Sequence, residues 1–553
     1  MVLCTGPTWF PMVGNFLDLK RKCQEKKYLH EAVAAMAREH DTSVLGLRLG
    51  SELTVVVFGY QMVKEVCGRE EFDGRPDTFF IRLRGMGGRG GITFTDGRIW
   101  QEHRSFAVRR LRQVGLGRAA MDDIIMDELQ ELVRLFGESA AAGRAVSIGR
   151  SFAPSVLNVL WVLTTGSSFL SREDPRLHSL LKAIKARSIA FNMAGGILNY
   201  FPWMRFLAPE WTGYNLILRL NSDLKDIFLA TIAEHQARYS PDKTDDLIDA
   251  FLHEMESRQG DSASSFTVDQ LVMICMDFFI AGSQTASTTL DYVFLMMLLY
   301  PDVQRRAQAQ LDAVVGTARL PKIADRKKLP YVEAVLMEVQ RLHQATPIAG
   351  PRRVTNATKL QGYDIPKARR MLFLPQDTTV LISLWSVHRD EQHWGDPTVF
   401  RPERHLTDSG ELLADDWLLP FGLGKRRCLG EALARSCMFI FFAGVLQNFE
   451  ILPVPDKELP EEDPTPGLLL SPQPYMVMLK SRLSRYVTES SHQVVFVLAV
   501  TSYIKRFGKP DNFPPGRFNQ NALYDQPVLM NWSRGHNPAN LRYVHNVANM
   551  LPN

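Results

Sequence analysis

Six cysteines, Cys4, Cys23, Cys67, Cys275, Cys428 and Cys437, are scattered singly along 553 residues, and no two form a CxxC pair. A disulfide framework suits neither that length nor that spacing, and a reducing, cytosol-facing setting fits better. Each is therefore read first as a small buried hydrophobe. Only Cys428 has neighbours that argue for chemistry. It lies in Phe421-Gly422-Leu423-Gly424-Lys425-Arg426-Arg427-Cys428-Leu429-Gly430, which leads into the helical run EALARSCMFIFFAGVLQNF. At a helix N-terminus, N–H groups and the positive end of the dipole favour a thiolate. Gly424 permits a tight turn that aims backbone amides at the sulfur. Phe421 can shield it from water, Arg426 offers a fixed cation to an anionic group, and Gly430 leaves room for a flat ligand against the backbone. The pattern F-x-x-G-x-R-x-C-x-G fixes five positions, a chance event on the order of 10⁻⁴ in a chain of this length.

Other residues are informative through their spacing. Trp100 and Arg104 stand four apart and share a helix face, and Glu338 and Arg341 stand three apart. In isolation the latter would be a surface ion pair worth a few tenths of a kcal/mol. Ala281-Gly282-Ser283-Gln284-Thr285 lies within an apolar stretch, where a threonine commonly bonds back to the carbonyl one turn earlier. Gly85 to Gly90 spells G-x-G-x-x-G, but ITFTDG follows where a helix should begin, so the segment reads as a flexible loop. His388 and His393 lack the spacing and the acid of a zinc helix, and no G-x-S-x-G elbow occurs.

These residues need a large, mostly helical scaffold. Apolar residues recur every three or four positions in 28–40, 121–137, 217–238, 267–299, 301–315 and 331–343. The longest run begins at a Thr267/Gln270 capping box and stops at Pro301, roughly 45–50 Å of helix. It is apolar nearly all round but interrupted by Asp277, Gln284 and a Ser/Thr cluster, which favours a protein core with a site in it over a membrane span. Strand-like runs, Leu53–Phe58 and Val380–Leu384, flank the helical middle, and 241–265 reads as a surface helix followed by a loop. The fold class is mainly α with a small β-rich region. A net charge of +4, evenly spread, argues against nucleic acid as a partner.

The thiolate loop resembles the haem-binding loop of the cytochrome P-450 family, and the family's other landmarks follow in order over roughly 7–482. The resemblance implies the cytochrome P-450 fold, with Cys428 as the metal ligand of haem b (iron protoporphyrin IX). It implies that Trp100, Arg104, Arg352 and Arg426, with Arg75 as a further candidate, bind the haem propionates. Phe421, Gly424 and Gly430 would line the cofactor. Glu338-x-x-Arg341 and Arg404 (in FRPER) would form a buried structural network. Ala281, Gly282, Gln284 and Thr285 resemble the oxygen-activation segment, with Ala281 and Gly282 admitting O2 and Thr285 managing protons. Gln284 stands where the family usually has Asp or Glu; glutamine can orient a water but cannot titrate. The substrate pocket is expected near 79–94, 189–201, 274–285, 346–351 and 468–473.

Within the family the likeness is to animal microsomal enzymes, insect ones included. These imply electrons from NADPH–cytochrome P-450 reductase, with cytochrome b5 as a further partner, an apolar small-molecule substrate, and attachment to the cytosolic face of the endoplasmic reticulum membrane. Lys425, Arg427 and the basic residues of 109–112 are candidate docking charges. The expected division is a Pro-rich hinge (1–16) without an N-terminal anchor, a catalytic domain (17–482), and an extension (483–553) outside the fold that resembles the anchor and hinge of another copy. ARRMLFLPQ (368–376) reads as an insertion at a hairpin tip. Two rival readings are a haem-thiolate isomerase that needs no reductase, and a catalytically impaired haem or apolar-ligand binder.

Overall fold

The computed structural model describes residues 4–482, apart from Met12, Ser51, 115–118, 169–171, 191–197, 199–200, 243–244, 368, 372–373, 377, 466 and 468. Residues up to Arg482 form one compact unit. The expected extension from 483 onward, and most of the expected pocket segment 189–201, lie outside the described residues.

Helix Val268–Leu299 runs through the centre of this unit. Thr267 caps it by accepting from the Gln270 backbone N–H at 3.2 Å. The reciprocal half of the expected capping box is absent, because the Gln270 side chain turns to the backbone of Gly91 instead, accepting at 3.0 Å and donating at 3.2 Å. Among the described helices it alone is long and apolar enough to cross a membrane, yet most of its side chains are buried against protein. Its most extensive packing is on helix Ile148–Thr165, where Phe152 stacks on Phe294 and Trp161 meets Phe279 edge-on. That helix escapes a periodicity search because it is apolar on most faces and carries Pro154. Helix Glu431–Asn448, buried from Ser436 to Asn448, packs on the central helix from another direction.

A four-stranded sheet flanks the helices in the order Val44–Leu49, Glu52–Val57, Thr378–Ser383, Ile348–Arg353. The second and third strands are parallel, with Leu53 opposite Thr378, and the fourth is antiparallel with a register shift between Ala349 and Arg352. The segment read as an insertion forms a two-stranded antiparallel ladder of its own, Arg369–Met371 against Leu374–Gln376. The 241–265 stretch does contain a helix, Leu247–Ser257, but its apolar face (Leu247, Ile248, Phe251) is buried rather than superficial.

Candidate active site

The cysteine loop is built by backbone geometry that only its sequence permits. Gly424 has φ +73°, and a Cβ there would lie 2.0 Å from the Cys67 carbonyl oxygen, so the turn closes only on glycine. The Cys428 backbone N–H donates to the Phe421 carbonyl at 2.9 Å, folding the loop so that the sulfur faces a cavity. Helix Glu431–Asn448 begins just after it, with Gly430 at the N-cap and open space where a Cβ would stand. Burial pushes the Cys428 thiol up; the Gly430 N–H and the charges of Arg104 and Arg427 oppose that.

The cavity offers about 380 Å3 to water-sized groups and is partly open to solvent. One wall carries Cys428, Phe421 and the cationic set; the central helix brings Ala281, Gly282 and Thr285 to the same space. Gln284 is not among the lining residues, although the family resemblance grouped it with them. The Thr285 hydroxyl donates to the Ala281 carbonyl at 2.8 Å, the back-bond expected of a mid-helix threonine. Ser283, Ser287 and Thr289 make the same bond one turn back. The cavity also takes in Val156, Leu160 and Leu163 from a helix that sequence reading did not include.

Five residues expected to bind an anion converge here: Arg75, Trp100, Arg104, Arg352 and Arg426. The Arg426 guanidinium lies 4.0 Å from the Trp100 ring centroid and gives Nε and Nη2 to the Asp73 carbonyl, at 3.0 and 2.7 Å. Its Nη1 is buried with no hydrogen-bond partner among the described residues. Arg104 donates to the Arg427 carbonyl at 2.7 Å, and Arg75 to the carbonyls of Gly350 and Pro351. Arg352 pairs with Asp73 at 2.8 Å. Burial, then Arg352, push Arg426 down to about 10, while Asp73 opposes them. Burial and the charges of Arg426 and Arg352 hold Arg75 well below its ordinary value. Guanidiniums crowded at such a cost fit a group carrying carboxylates, and a thiol facing the same space fits that group's metal. The chain's residues therefore suit a haem.

The cytochrome P-450 family model matches residues 5–479. This chain belongs to the cytochrome P-450 family. It is 43% identical over 484 residues to a probable cytochrome P-450 305a1 of Drosophila melanogaster, covering 86% of this chain and 94% of that one. It is 35% identical over 477 residues to a farnesoate epoxidase of Bombyx mori, with coverages of 86% and 93%. To cytochrome P-450 2L1 of Panulirus argus it is 30% identical over 480 residues, with coverages of 86% and 94%. As a cytochrome P-450 it is a haem-dependent monooxygenase, an oxidoreductase of the haem-thiolate type.

This cytochrome P-450 also carries a charge cluster around Glu338 and Arg341, both fully buried. Arg341 makes a two-pronged contact with Glu338 at 2.8 and 2.9 Å, and Arg404 joins it at 2.9 Å. His405 bonds the same carboxylate at 3.0 Å, and Arg341 also donates to the carbonyls of His388 and Pro397. Burial alone would raise the Glu338 pKa, but the bonds from Arg341 and His405, and their charges, hold it far below the carboxylate range. His405 and Asp73 were missed from sequence. The adjacency of His405 to Arg404 was the only signal for the first. The second sits in EEFDGRP with no recognisable motif.

Proposed function

We propose that the chain binds haem b through Cys428 and inserts one atom of O2 into an apolar organic substrate, using NADPH electrons delivered by a flavin reductase. The observation that carries this is the single cavity bounded by Cys428, by the arginines around Trp100, and by Ala281, Gly282 and Thr285 on the central helix. When bound, the haem supplies the O2 activation that no side chain can. Trp100, Arg104, Arg426 and Arg352, with Arg75 as a further candidate, would hold its propionates. Phe421 and Gly430 line the thiolate face, and Gly424 shapes the loop. Ala281 and Gly282, which line the same cavity, would let a bound haem and O2 approach the central helix closely. Thr285 exchanges its bond to the Ala281 carbonyl for one to a water and so relays a proton. Glu338, Arg341 and Arg404 fix the loop's support and take no part in chemistry.

The reductase, with cytochrome b5 as a second donor, docks on the basic face of Arg109, Arg112 and Lys425, all exposed. Attachment to the endoplasmic reticulum membrane is supported by an exposed apolar patch: Phe206, Leu207 and Trp211 are each more than 70% exposed, with Trp203 beside them. Phe16 meets Phe201 edge-on, joining the N-terminal segment to this patch. The name of the Bombyx relative makes an isoprenoid one candidate among lipid, steroid and xenobiotic substrates.

The test is the reduced carbon monoxide difference spectrum of wild type beside Cys428→Ser. A thiolate-type band lost in the variant supports the proposal; a colourless wild type, or an unchanged band, overturns it. NADPH consumption with reductase separates oxygenation from a reductase-independent isomerisation, for which proton delivery by Thr285 would have no use.

A further inference from the structure

Three helices end or begin on one another just outside the haem-facing cavity. Thr165 is the last residue of helix Ile148–Thr165, and His235 and Arg238 lie in the last turn of helix Tyr214–Arg238. Asp246 caps the start of helix Leu247–Ser257, with Asp249 in its first turn. One ring nitrogen of His235 and one carboxylate oxygen each of Asp246 and Asp249 stand within 4.8 Å of one another. His235 and Asp246 are 3% and 1% exposed. Gly166 follows Thr165 with φ +70°, and a Cβ there would lie 3.0 Å from Asp246 Oδ2, so the carboxylate occupies space that only glycine leaves.

The way these atoms face one another decides what the cluster can hold. His235 Nδ1 lies 2.8 Å from the Thr231 carbonyl, which can only accept, so in the neutral ring Nδ1 carries the proton and Nε2 a lone pair. That lone pair looks onto two more acceptors, Asp246 Oδ2 and the Thr165 carbonyl, each at 3.2 Å. Arg238 reaches in between them: its Nη2 lies 2.8 Å from Nε2, 3.4 Å from the Thr165 carbonyl and 3.7 Å from Asp246 Oδ2. The Arg238 side chain is 57% exposed, so it can swing out into water. Asp246 Oδ1 accepts the Asp249 N–H at 2.8 Å, whereas Asp249 Oδ1 is enclosed with no hydrogen-bond partner among the described residues. The C-terminal ends of two helices add their negative poles to the same spot. In a tetrahedral site with bonds of about 2.0 Å, neighbouring ligand atoms stand roughly 3.3 Å apart. The two 3.2 Å separations already meet that, and Asp249 has at most about 1.5 Å to close.

We propose that His235 Nε2, Asp246, Asp249 and the Thr165 carbonyl form a binding site for a zinc-like divalent ion, which takes the place of the Arg238 guanidinium. One imidazole nitrogen with three oxygens suits such an ion, whereas calcium asks for six to eight oxygens, more than the described residues bring together. Binding expels any proton from Nε2 and sends Arg238 out to solvent. The ion then pins the ends of three helices to one another. Helix Ile148–Thr165 gives Val156, Leu160, Leu163 and Thr164 to the haem-facing cavity, so the clamp stiffens one wall of the substrate space from behind. The site is separate from the thiolate loop and stands whether or not the oxygenase reading does.

The experiment titrates Zn2+ calorimetrically into the haem-loaded full chain after chelator treatment, with Ca2+ as the control ion. Wild type is expected to show a step of one Zn2+ per chain with Kd of about 1 μM or tighter, and to melt at higher temperature when saturated. Asp249→Asn and His235→Ala each weaken that step about tenfold or more, whereas Arg238→Ala, which removes the resident cation, tightens it several-fold. An Arg238 that served only to hold the fold together would lower the melting temperature without tightening zinc. Haem content and the carbon monoxide band are recorded for every variant, so a folding failure is visible. Should His235→Ala not fold, Asp249→Asn and Arg238→Ala decide between them. No such step in wild type, a step unchanged in Asp249→Asn (zinc on surface histidines), binding no tighter in Arg238→Ala, or Ca2+ bound as well as Zn2+ overturns the proposal.

Discussion

At the residue scale, two side chains carry separable tasks. Glu338 is the acceptor for Arg341, Arg404 and His405 and is itself fully buried. Glu338→Gln leaves buried guanidiniums without their counter-charge, and is expected to cost about 3–5 kcal/mol, read from chemical denaturation at neutral pH. The wild-type carboxylate titrates far below its unfolded value of 4.5. Its contribution is therefore complete above that pH and is lost as pH falls below it. The stability gap between wild type and variant should shrink on acidification, and a gap independent of pH would contradict the assignment. Thr285 makes no such structural contribution beyond one bond to its own helix. Thr285→Ala should leave melting nearly unchanged while product formed per NADPH consumed falls on the order of tenfold or more.

The residues legible in the sequence are those whose partners are close along the chain. Cys428, Gly424 and Phe421 sit in one loop, and Trp100 and Arg104 share one helix face. Asp73 was not legible, because it matters only through Arg426 and Arg352, each more than 270 residues away. His235 and Thr165 were hidden for the same reason, since their contact joins side chain to backbone across 70 residues.

At the element scale, the cysteine loop is the part with least tolerance. A Cβ at Gly424 would meet backbone, not a side chain that can swing away, and φ +73° adds strain of its own. Gly424→Ala should cost roughly 2 kcal/mol or more in loop closure, enough to reduce haem retention more than tenfold. Haem stoichiometry after gel filtration, beside an unchanged circular dichroism spectrum, would show it. The helices with one apolar stripe were readable from periodicity, Pro330–Leu342 and Leu29–Glu39 among them. Ile148–Thr165 was not, since a buried helix shows no contrast between faces, and it supplies part of the cavity wall. The Gln270 side chain, read as half of a cap, serves a tertiary contact instead.

For the whole molecule, surface chemistry differs sharply from place to place. Arg109, Arg112 and Lys425 lie around one surface depression beside Trp100 and Arg104. Reductase-driven turnover should accordingly slow as salt rises from 0.05 to about 0.5 M, because the Debye length shrinks well below 10 Å. The exposed Trp203, Phe206, Leu207 and Trp211 are expected to insert among lipids. Replacing Phe206 and Trp211 by Ser should weaken sedimentation with phosphatidylcholine vesicles several-fold, with no loss of thermal stability. The mainly helical class could be read from the sequence as a whole, but the placing of these faces could not. It depends on which helices lie next to one another.

The roof of the site hangs from the central helix by a handful of polar attachments: Gln270 to Gly91, and Asp277 to Ile92 and Thr93. None of them belongs to a strand ladder or a helix. A ceiling suspended by two side chains can be re-aimed through a single substitution on the beam that carries it. Diversification of what such a chamber admits would then proceed through positions 270 and 277, at a cost of about 1–3 kcal/mol for each backbone group left without its partner, and libraries randomised there should yield altered selectivity among the variants that still fold.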